Sequence, residues 1–492
     1  MAVFGAIILS LLNAILKKKS SRKLPPGPRG VPLLGHLHLM MGKTPHQDLQ
    51  KLAKIYGPIM HLRFGLVNII VVSSAEAAKQ FLKTHDLIFA TRPPHQAAKY
   101  MSYDQKSLSF GQYGLYWRTM RKLCTLELLS NLKITSFQSM RREELRLLVQ
   151  SFKQQDNNMA VDLSAEVASM VADMSCRMVF GKKYEDKEIG EKGFKAVIHE
   201  AVHLAACPNL GDYFPYLGKL DVQGLTRRMK AISKLFDQFF ERIIDDHEQT
   251  APNTQKTKDF VDTLLETMKS GDIPFQFTRQ HVKSIMLDML VTSMDTSATA
   301  IEWIMSELLR HPEVMNKVKE ELERQVSFDR MVEEEDLEGL EYLEMVIKES
   351  LRMHPVVSLL LHHTATEDCV VIDGVHMPEK ARVVVNLRAI GRDPSVWSNP
   401  DKFIPERFDG SNVEYRGQNF ELIPFGAGRR SCPGMQLGIT IVKLVVAQLV
   451  HCFDWDLPKG MLPEELDMDE VFGIVVSRAK HLMAIPTYRL CV

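Results

Sequence analysis

Read only for its apolar and polar positions, the chain is dominated by the helical period. Apolar residues recur at spacings of three and four across 279–310, 312–325, 342–353 and 435–452, which predicts long helices there, with His311-Pro312 breaking the first two apart. Strand-like patterning is confined to short stretches. Residues 59–72, IMHLRFGLVNIIVV, predict two strands around a turn at Gly65, and 369–388 have the β-branched enrichment of paired strands. The polar run from Asp245 to Lys258 is expected to be an exposed loop. No repeat, low-complexity tract or linker divides the chain beyond residue 44. The expected architecture is mainly α with small β-sheets, an α+β body over residues 35–492.

The amino terminus departs from this pattern. Residues 2–16, AVFGAIILSLLNAIL, carry no charge and are followed at once by Lys17, Lys18, Lys19, Arg22 and Lys23. A helix of that length spans about 23 Å, short of a ~30 Å hydrocarbon core, so crossing it requires snorkelling lysines or local thinning. A cleaved secretory signal carries its charge before the apolar run, whereas here the charge follows it. Residues 1–23 are therefore read as a retained signal-anchor helix with a basic flank that keeps the following body cytoplasmic. Pro25, Pro26, Pro28 and Pro32 then lock φ and remove backbone donors, so residues 24–34 are read as a stiff hinge.

Composition changes this picture little. Lys+Arg and Asp+Glu each number 61, so no bulk charge favours binding to nucleic acid. Seven cysteines in 492 residues, with no Cys-x-x-Cys pair, argue against a disulfide framework or a zinc pair and suit a reduced, cytosol-facing body.

The chemistry concentrates in Pro424–Gly434, PFGAGRRSCPG. Gly426 and Gly428 permit a tight, positive-φ backbone, so Cys432 is presented from a loop at the start of a long apolar helix. Helix-start N–H groups and the positive dipole end stabilise the thiolate, the form that ligates iron. Arg430, two residues earlier in an extended loop, lies on the same side and can bridge a cofactor carboxylate. A lone cysteine is ordinarily a structural thiol; the full F-x-x-G-x-R-x-C-x-G frame points the other way. Elsewhere Glu349 and Arg352 share one helical face, and a second guanidinium can fork onto the same carboxylate.

These motifs resemble the cytochrome P-450 family of haem-thiolate monooxygenases, and the resemblance extends over essentially the whole chain. It implies a single helical body around a buried haem b (iron protoporphyrin IX), with Cys432 as axial iron ligand and Phe425, Gly428, Arg430, Cys432 and Gly434 forming the haem-binding loop. Glu349 and Arg352 match its E-x-x-R motif. Pro405-Glu406-Arg407-Phe408 matches the segment that supplies the third member of a structural ion network, Arg407. Trp117 and Arg121 look like its W-x-x-x-R helix, where the arginine meets a haem propionate and the indole N–H can bond the same group. His363 takes the place where related plant enzymes have Arg or His near the other propionate; a satisfied surface histidine is the competing reading.

Asp295-Thr296, within LVTSMDTSATAIEW, resembles the acid–alcohol pair that delivers protons during oxygen activation. A polar pair inside an apolar helix is costly unless it is hydrogen-bonded or faces a cavity. The family usually has Ala or Gly, then Gly, where this chain has Thr292 and Ser293. A serine hydroxyl can bond a released carbonyl, so Ser293 is expected beside the oxygen site in a locally opened helix.

With the hinge, Tyr113–Arg118 and Gly391-Arg392-Asp393-Pro394 look like the plant microsomal group that oxidises specialised metabolites. The resemblance implies O2, a small hydrophobic substrate, and NADPH acting indirectly through a membrane-bound flavoprotein reductase. Nothing in the chain reads as a flavin or nicotinamide fold. The implied location is the endoplasmic reticulum membrane, single-pass, with the catalytic body on the cytoplasmic side. Carried-over pocket positions are Ser109, Phe110, Val291, Met294, Val357, Leu359, Leu360, Ile474 and Val475. They are mostly apolar and suit a terpenoid or phenolic ring system, with ordinary core packing as the competing reading of each. A haem-thiolate isomerase or dehydratase shares Cys432 but needs no oxygen-linked proton delivery, and a haem-binding sensor is the non-enzyme alternative.

Deleting residues 2–23 is expected to release part of the protein from membranes with haem binding intact, because the anchor precedes the hinge and contributes nothing to the core. Membrane fractionation and the haem spectrum check this; loss of haem binding would place the segment within the fold.

Overall fold

A computed structural model describes residues 24–155, 159–184, 193–249, 257–371, 374–458 and 460–490, so the expected anchor at 2–16 lies outside the described residues. The longer helices are α1 (Pro45–Tyr56), α2 (Leu115–Leu123), α3 (Gln138–Lys153), α4 (Leu163–Phe180), α5 (Phe194–Ala206), α6 (Leu225–Gln249), α7 (Phe260–Ser270), α8 (Arg279–Arg310), α9 (Pro312–Gln325), α10 (Glu341–Met353) and α11 (Met435–Cys452). Pro312 opens α9 at its first position, where a missing N–H costs nothing.

Helix α8 has 32 residues, about 48 Å at 1.5 Å per residue. Its apolar positions run all round the barrel, and such a helix must be enclosed by others. Val282, Met286, Leu290, Ile301, Trp303 and Leu308 are buried accordingly, with α4 as the most extensive neighbour and α10 and α11 also against it. Among the described residues α11 alone is long and apolar enough to cross a membrane, and 72% of it is buried inside the fold, which makes it a core helix.

The largest sheet lies to one side, built from β1 (Ile59–Phe64), β2 (Val67–Val72), β7 (Arg382–Val385) and β4 (His363–Thr364) in that order. The remaining strands, β3 (Val161–Asp162), β5 (Cys369–Val370), β6 (His376–Met377), β8 (Phe453–Asp456), β9 (Glu470–Val471), β10 (Ser477–Arg478) and β11 (Met483–Tyr488), form small sheets. The β1–β2 hairpin turns at Gly65, whose φ is +57°, and a Cβ there would meet the Phe214 ring at 2.7 Å. The 369–388 stretch does not form one hairpin. β5 and β6 pair with each other, but β7 pairs parallel to β2, from Ile69 opposite Arg382 to Val72 opposite Val385. Parallel neighbours need a crossover, and here the crossover contains most of the helical body. Alternation divides the sheet's two faces: Ile70, Val72, Val383 and Val385 pack with Phe81 and Phe89, and Ile69, Val71 and Val384 pack with Leu62, Phe64 and Tyr213.

One expectation is corrected outright. Asp245–Gln249, read as loop, is the last part of α6. The apolar stripe Phe236, Phe240, Ile243 and Ile244 carries the helix into the polar run, and His247 secures its end by bonding Ile243 O at 2.7 Å and Asp259 Oδ2 at 3.0 Å.

Glu349 on α10 is completely buried. Arg352 forks onto it with Nε–Oε2 at 2.7 Å and Nη2–Oε1 at 2.8 Å, and Arg407 Nε and Ile404 N–H reach Oε1 at 2.9 and 2.8 Å. The spare guanidinium donors go to the carbonyls of Gly391, Pro400 and Ser398, so the α10 end, the 391–408 segment and Trp397 between the two arginines form one block. Removing one partner of a buried ion pair strands the rest, so Arg407→Ala is expected to cost on the order of 3–5 kcal/mol, well above a surface charge deletion. Thermal unfolding and haem content per chain are the measurements; a wild-type midpoint with full haem would show Arg407 to be dispensable.

Candidate functional site

The 424–434 loop closes on itself by backbone bonds. Gly426 N–H donates to Ile423 O at 2.9 Å, and Cys432 N–H donates to Phe425 O at 2.8 Å, folding the cysteine back over Phe425. Gly428 has φ +68°, and a Cβ there would lie 1.9 Å from Leu82 O, so only glycine lets the loop seat on the 80–84 segment. Gly434 caps α11 and turns its N–H onto the Cys432 sulfur.

Among the described cysteines Cys432 alone is exposed, yet burial pushes its thiol pKa up. The two facts agree if the sulfur opens onto interior space and not onto bulk water. The Gly434 N–H and the Arg121 charge work in the opposite direction, toward the thiolate.

Around this loop stand three arginines with no carboxylate bonded to them among the described residues. Arg430 donates to the carbonyls of Ala90 (2.6 Å), Gly111 (2.6 Å) and Leu108 (3.2 Å), and stacks 3.9 Å over the Trp117 ring. Arg92 donates to Ser109 O, Leu361 O and His362 O at 3.1, 2.6 and 3.0 Å. Arg121 makes one long bond, 3.5 Å, to Ser431 Oγ, which leaves most of its fork free. Burial, then the neighbouring Arg92 and Arg121, push Arg430 down to about 8, and burial pushes Arg92 down to about 10. Clustered buried guanidiniums are costly unless an anion joins them. The donor set therefore fits haem: a thiol at a helix start for the iron, and uncompensated cations for two propionate carboxylates.

Two residues expected at the cofactor have partners within the protein. The Trp117 indole N–H donates to Leu108 O at 2.9 Å, because the loop after Lys106 packs against the tryptophan edge, and its ring lies under Arg430. His363 is buried and not at the surface, with Nδ1 on Phe89 O at 2.9 Å. Burial and the Arg92 charge hold it well below the ordinary histidine range, so it is neutral, its Nδ1–H is used, and Nε2 can only accept.

On α8 the polar residues separate by face. Thr292 is exposed within a helix whose flanking turns are buried; its Oγ1 donates to Asp288 O, and Thr296 Oγ1 donates to Thr292 O, both at 2.7 Å. Asp295 does not bond Thr296. Burial raises its pKa, and His199 on α5 is the charge that opposes this, which directs Asp295 toward α5. Ser293 points elsewhere again: its hydroxyl donates to Met289 O at 2.6 Å and meets Ser175 Oγ of α4 at 2.8 Å. The helix runs unbroken from 279 to 310, so the expected opening at Ser293 does not occur, since the α4 contact and the i−4 carbonyl satisfy the hydroxyl inside an intact helix.

Of the expected pocket residues, Ser109, Phe110, Val291, Val357, Leu360, Ile474 and Val475 are half-buried and Met294 is buried in the main core. Leu359, bridged to Asn386, packs with the Leu62, Phe64 and Tyr213 cluster, while the adjacent Leu360 packs with Phe81 and Phe89. Sequence reading missed Arg92, His362 and Asp288. His362 is pushed down to about 3 by burial, then by Arg382, His95 and Arg92; Asp288 is pushed up to about 7 by burial. An aspartate seven residues before Asp295 on the same helix was the one available signal.

The cytochrome P450 family model matches residues 25–483. Cytochrome P450 CYP736A12 of Panax ginseng is 50% identical over 99% of this chain and 98% of its own length. Desmethyl-deoxy-podophyllotoxin synthase of Sinopodophyllum hexandrum is 40% identical, covering 98% and 96%, and tabersonine 6,7-epoxidase isoform 1 of Catharanthus roseus is 41% identical, covering 96% and 94%. Among solved structures, a zebra fish cytochrome P450 with progesterone superposes with a TM-score of 0.77 at 24% identity over 90% of this chain and 99% of that one, a likeness of fold. With Cys432 held at the start of α11 in a loop surrounded by Arg92, Arg121 and Arg430, and matched over nearly its whole length, the chain belongs to the cytochrome P450 family of haem-thiolate monooxygenases.

Proposed function

We propose that this chain hydroxylates a small hydrophobic plant specialised metabolite, terpenoid or phenolic, using O2 and electrons passed from NADPH by a separate flavoprotein reductase. The observation that carries the reading is the Cys432 thiol at the start of α11, beside the Arg121 charge, with none of Arg92, Arg121 and Arg430 bonded to a carboxylate among the described residues. Haem, when bound, supplies reductive activation of O2 and insertion of one oxygen atom into a C–H bond, with thiolate ligation favouring O–O cleavage. Cys432 would hold the iron, Arg121 and Arg430 would meet the propionates, and the Gly434 N–H favours the anionic sulfur against the effect of burial. The half-buried apolar residues Val291, Val357, Leu360, Ile474 and Val475, with Phe110, orient substrate by shape. Plant relatives named desmethyl-deoxy-podophyllotoxin synthase and tabersonine 6,7-epoxidase support a plant specialised metabolite as substrate. Residues 1–23 would anchor the 35–492 body at the endoplasmic reticulum membrane through the 24–34 hinge.

Proton handling falls to α8. Thr296 Oγ1 and Thr292 Oγ1 form a ladder of hydroxyls bonded to backbone carbonyls, so each can turn to pass a proton and return. Asp295, whose pKa burial raises, is the acid of the proposed pair, turned toward α5 and not bonded to Thr296.

Cys432→Ser replaces a soft anionic ligand with a weak hard one, so the reduced carbon-monoxide complex is expected to lose its far-red-shifted Soret band. An unchanged spectrum would overturn the ligand assignment. Turnover by the wild type that proceeds without NADPH and O2 would instead favour an isomerase or dehydratase.

Thr296→Ala is expected to lower the ratio of product to NADPH oxidised severalfold, with the excess reducing equivalents recovered as peroxide, and to leave substrate affinity by haem spectral shift nearly unchanged. Ser293→Ala is expected to leave that ratio as in the wild type and to cost about 1 kcal/mol of stability, because its hydroxyl serves α4. A coupling loss in Ser293→Ala comparable to that of Thr296→Ala would return Ser293 to the oxygen site.

A further inference from the structure

Asp288 is 8% exposed on α8, one turn before Thr292, and none of its described partners is a cation. Its Oδ2 accepts the Leu108 N–H at 2.5 Å and its Oδ1 accepts the Ser109 hydroxyl at 3.2 Å, while the Ser109 N–H also faces the carboxyl. A buried carboxylate without a cation is unfavourable unless several donors converge on it. Here the donors come from one loop.

That loop cannot hold its shape by backbone preference. Residues 102–114 contain no helix or strand, and Tyr103, Asp104 and Gln105 are three successive non-glycine residues with φ of +51°, +60° and +59°, a conformation unfavourable for L-residues. Side chains fix it from both sides. Leu108 O accepts from Trp117 Nε1 and Arg430 Nη1, Ser109 O from Arg92 Nε, and Gly111 O from Arg430 Nη2. The Leu108–Ser109 peptide thus has its N–H toward a carboxyl on α8 and its C=O toward the guanidinium two residues before Cys432. Its dipole lies between anion and cation, which stabilises both without their touching.

We propose that Asp288 is a positioning residue that fastens the 107–111 loop, and with it the Ser109–Phe110 part of the pocket wall, to the central helix. The proposal rests on the reading of Ser109 and Phe110 as pocket wall. Phe110 is stacked on His95, 5.3 Å between centroids, so a shift of the loop changes an aromatic surface and not a single contact. Asp288 sets where that surface stands relative to α8, and hence which substrate carbon is presented.

The test is hydrogen exchange of the haem-loaded protein, followed by mass spectrometry on peptides spanning 103–112, in wild type, Asp288→Leu and Ser109→Ala. Asp288→Leu is expected to exchange about tenfold faster within 107–111 with little change in α4 or α11, and to spread oxidation over more than one carbon of any accepted substrate. Ser109→Ala removes one arm only and is expected to give a smaller acceleration, roughly threefold, confined to the same segment. Unchanged exchange at 107–111 in a haem-loaded Asp288→Leu overturns the proposal, and if that variant does not load haem, unchanged exchange in Ser109→Ala does so. The exchange readout needs no turnover, so it stands apart from the carbon-monoxide spectrum of Cys432→Ser, which tests the haem reading alone. Faster loop exchange with unaltered product distribution would remove Ser109 and Phe110 from the pocket wall and overturn the specificity role.

Discussion

The structure depends on holding an ionisable sulfur inside a dry protein. A thiol removed from water resists losing its proton, and burial moves Cys432 in that direction. The opposing terms are all local to the 424–434 loop: an N–H from Gly434, the start of a long apolar helix, and the Arg121 charge. To present the sulfur there the backbone must fold back on Phe425 and pass Leu82 O more closely than any side chain allows, which is why the frame is so particular about glycine. Much of the remaining fold exists to bring other segments up to that loop.

The arginines show how this is done. Arg92, Arg121 and Arg430 come from three parts of the chain, and each is held by neutral acceptors, backbone carbonyls for Arg92 and Arg430 and the Ser431 hydroxyl for Arg121, so their charge is left available for an anionic ligand. Leu108 is the joint of the arrangement: its carbonyl serves Trp117 and Arg430, its amide serves Asp288 on α8. The helix that carries the hydroxyl ladder and the loop that carries the thiol are thereby registered to each other through one residue. The Glu349–Arg352–Arg407 block acts at greater distance. It satisfies every atom of a buried carboxylate with two guanidiniums and an amide, and it ties α10 to the 391–408 segment that leads into the cysteine loop.

Helix α8 solves a different problem. Enclosed along most of its length, it still carries Asp288, Thr292, Ser293, Asp295 and Thr296, and each polar group has found a direction of its own: the 107–111 loop, the open side, α4, α5 and the preceding turn. The threonine and serine hydroxyls return to carbonyls of their own helix, which satisfies them without breaking it. That the family's usual small residues are Thr292 and Ser293 here changes the lining on one face only, because a single residue step rotates a side chain by about 100°.

What the sequence determined by itself is whatever a single turn or a single loop can encode. The helices at 279–310, 312–325 and 435–452, the hairpin at 59–72 and the cysteine frame were all legible, since their causes lie within a few residues of one another. Glu349 and Arg352 were legible for the same reason, three apart on one face. Tertiary structure decided the partnerships that join distant segments: β7 lying parallel to β2, the Trp117 indole turned to Leu108 O, His363 buried against Phe89, Ser293 turned to Ser175, and α6 continuing through a polar run read as loop. Asp288 belongs with these. In the sequence it is one more polar residue in an apolar helix, and only the loop folded against it supplies the donors that make an uncompensated buried carboxylate tolerable. Periodicity states which face of an element is apolar; which segment comes to cover that face, and which polar group must turn to meet it, follows from the packing of the whole chain.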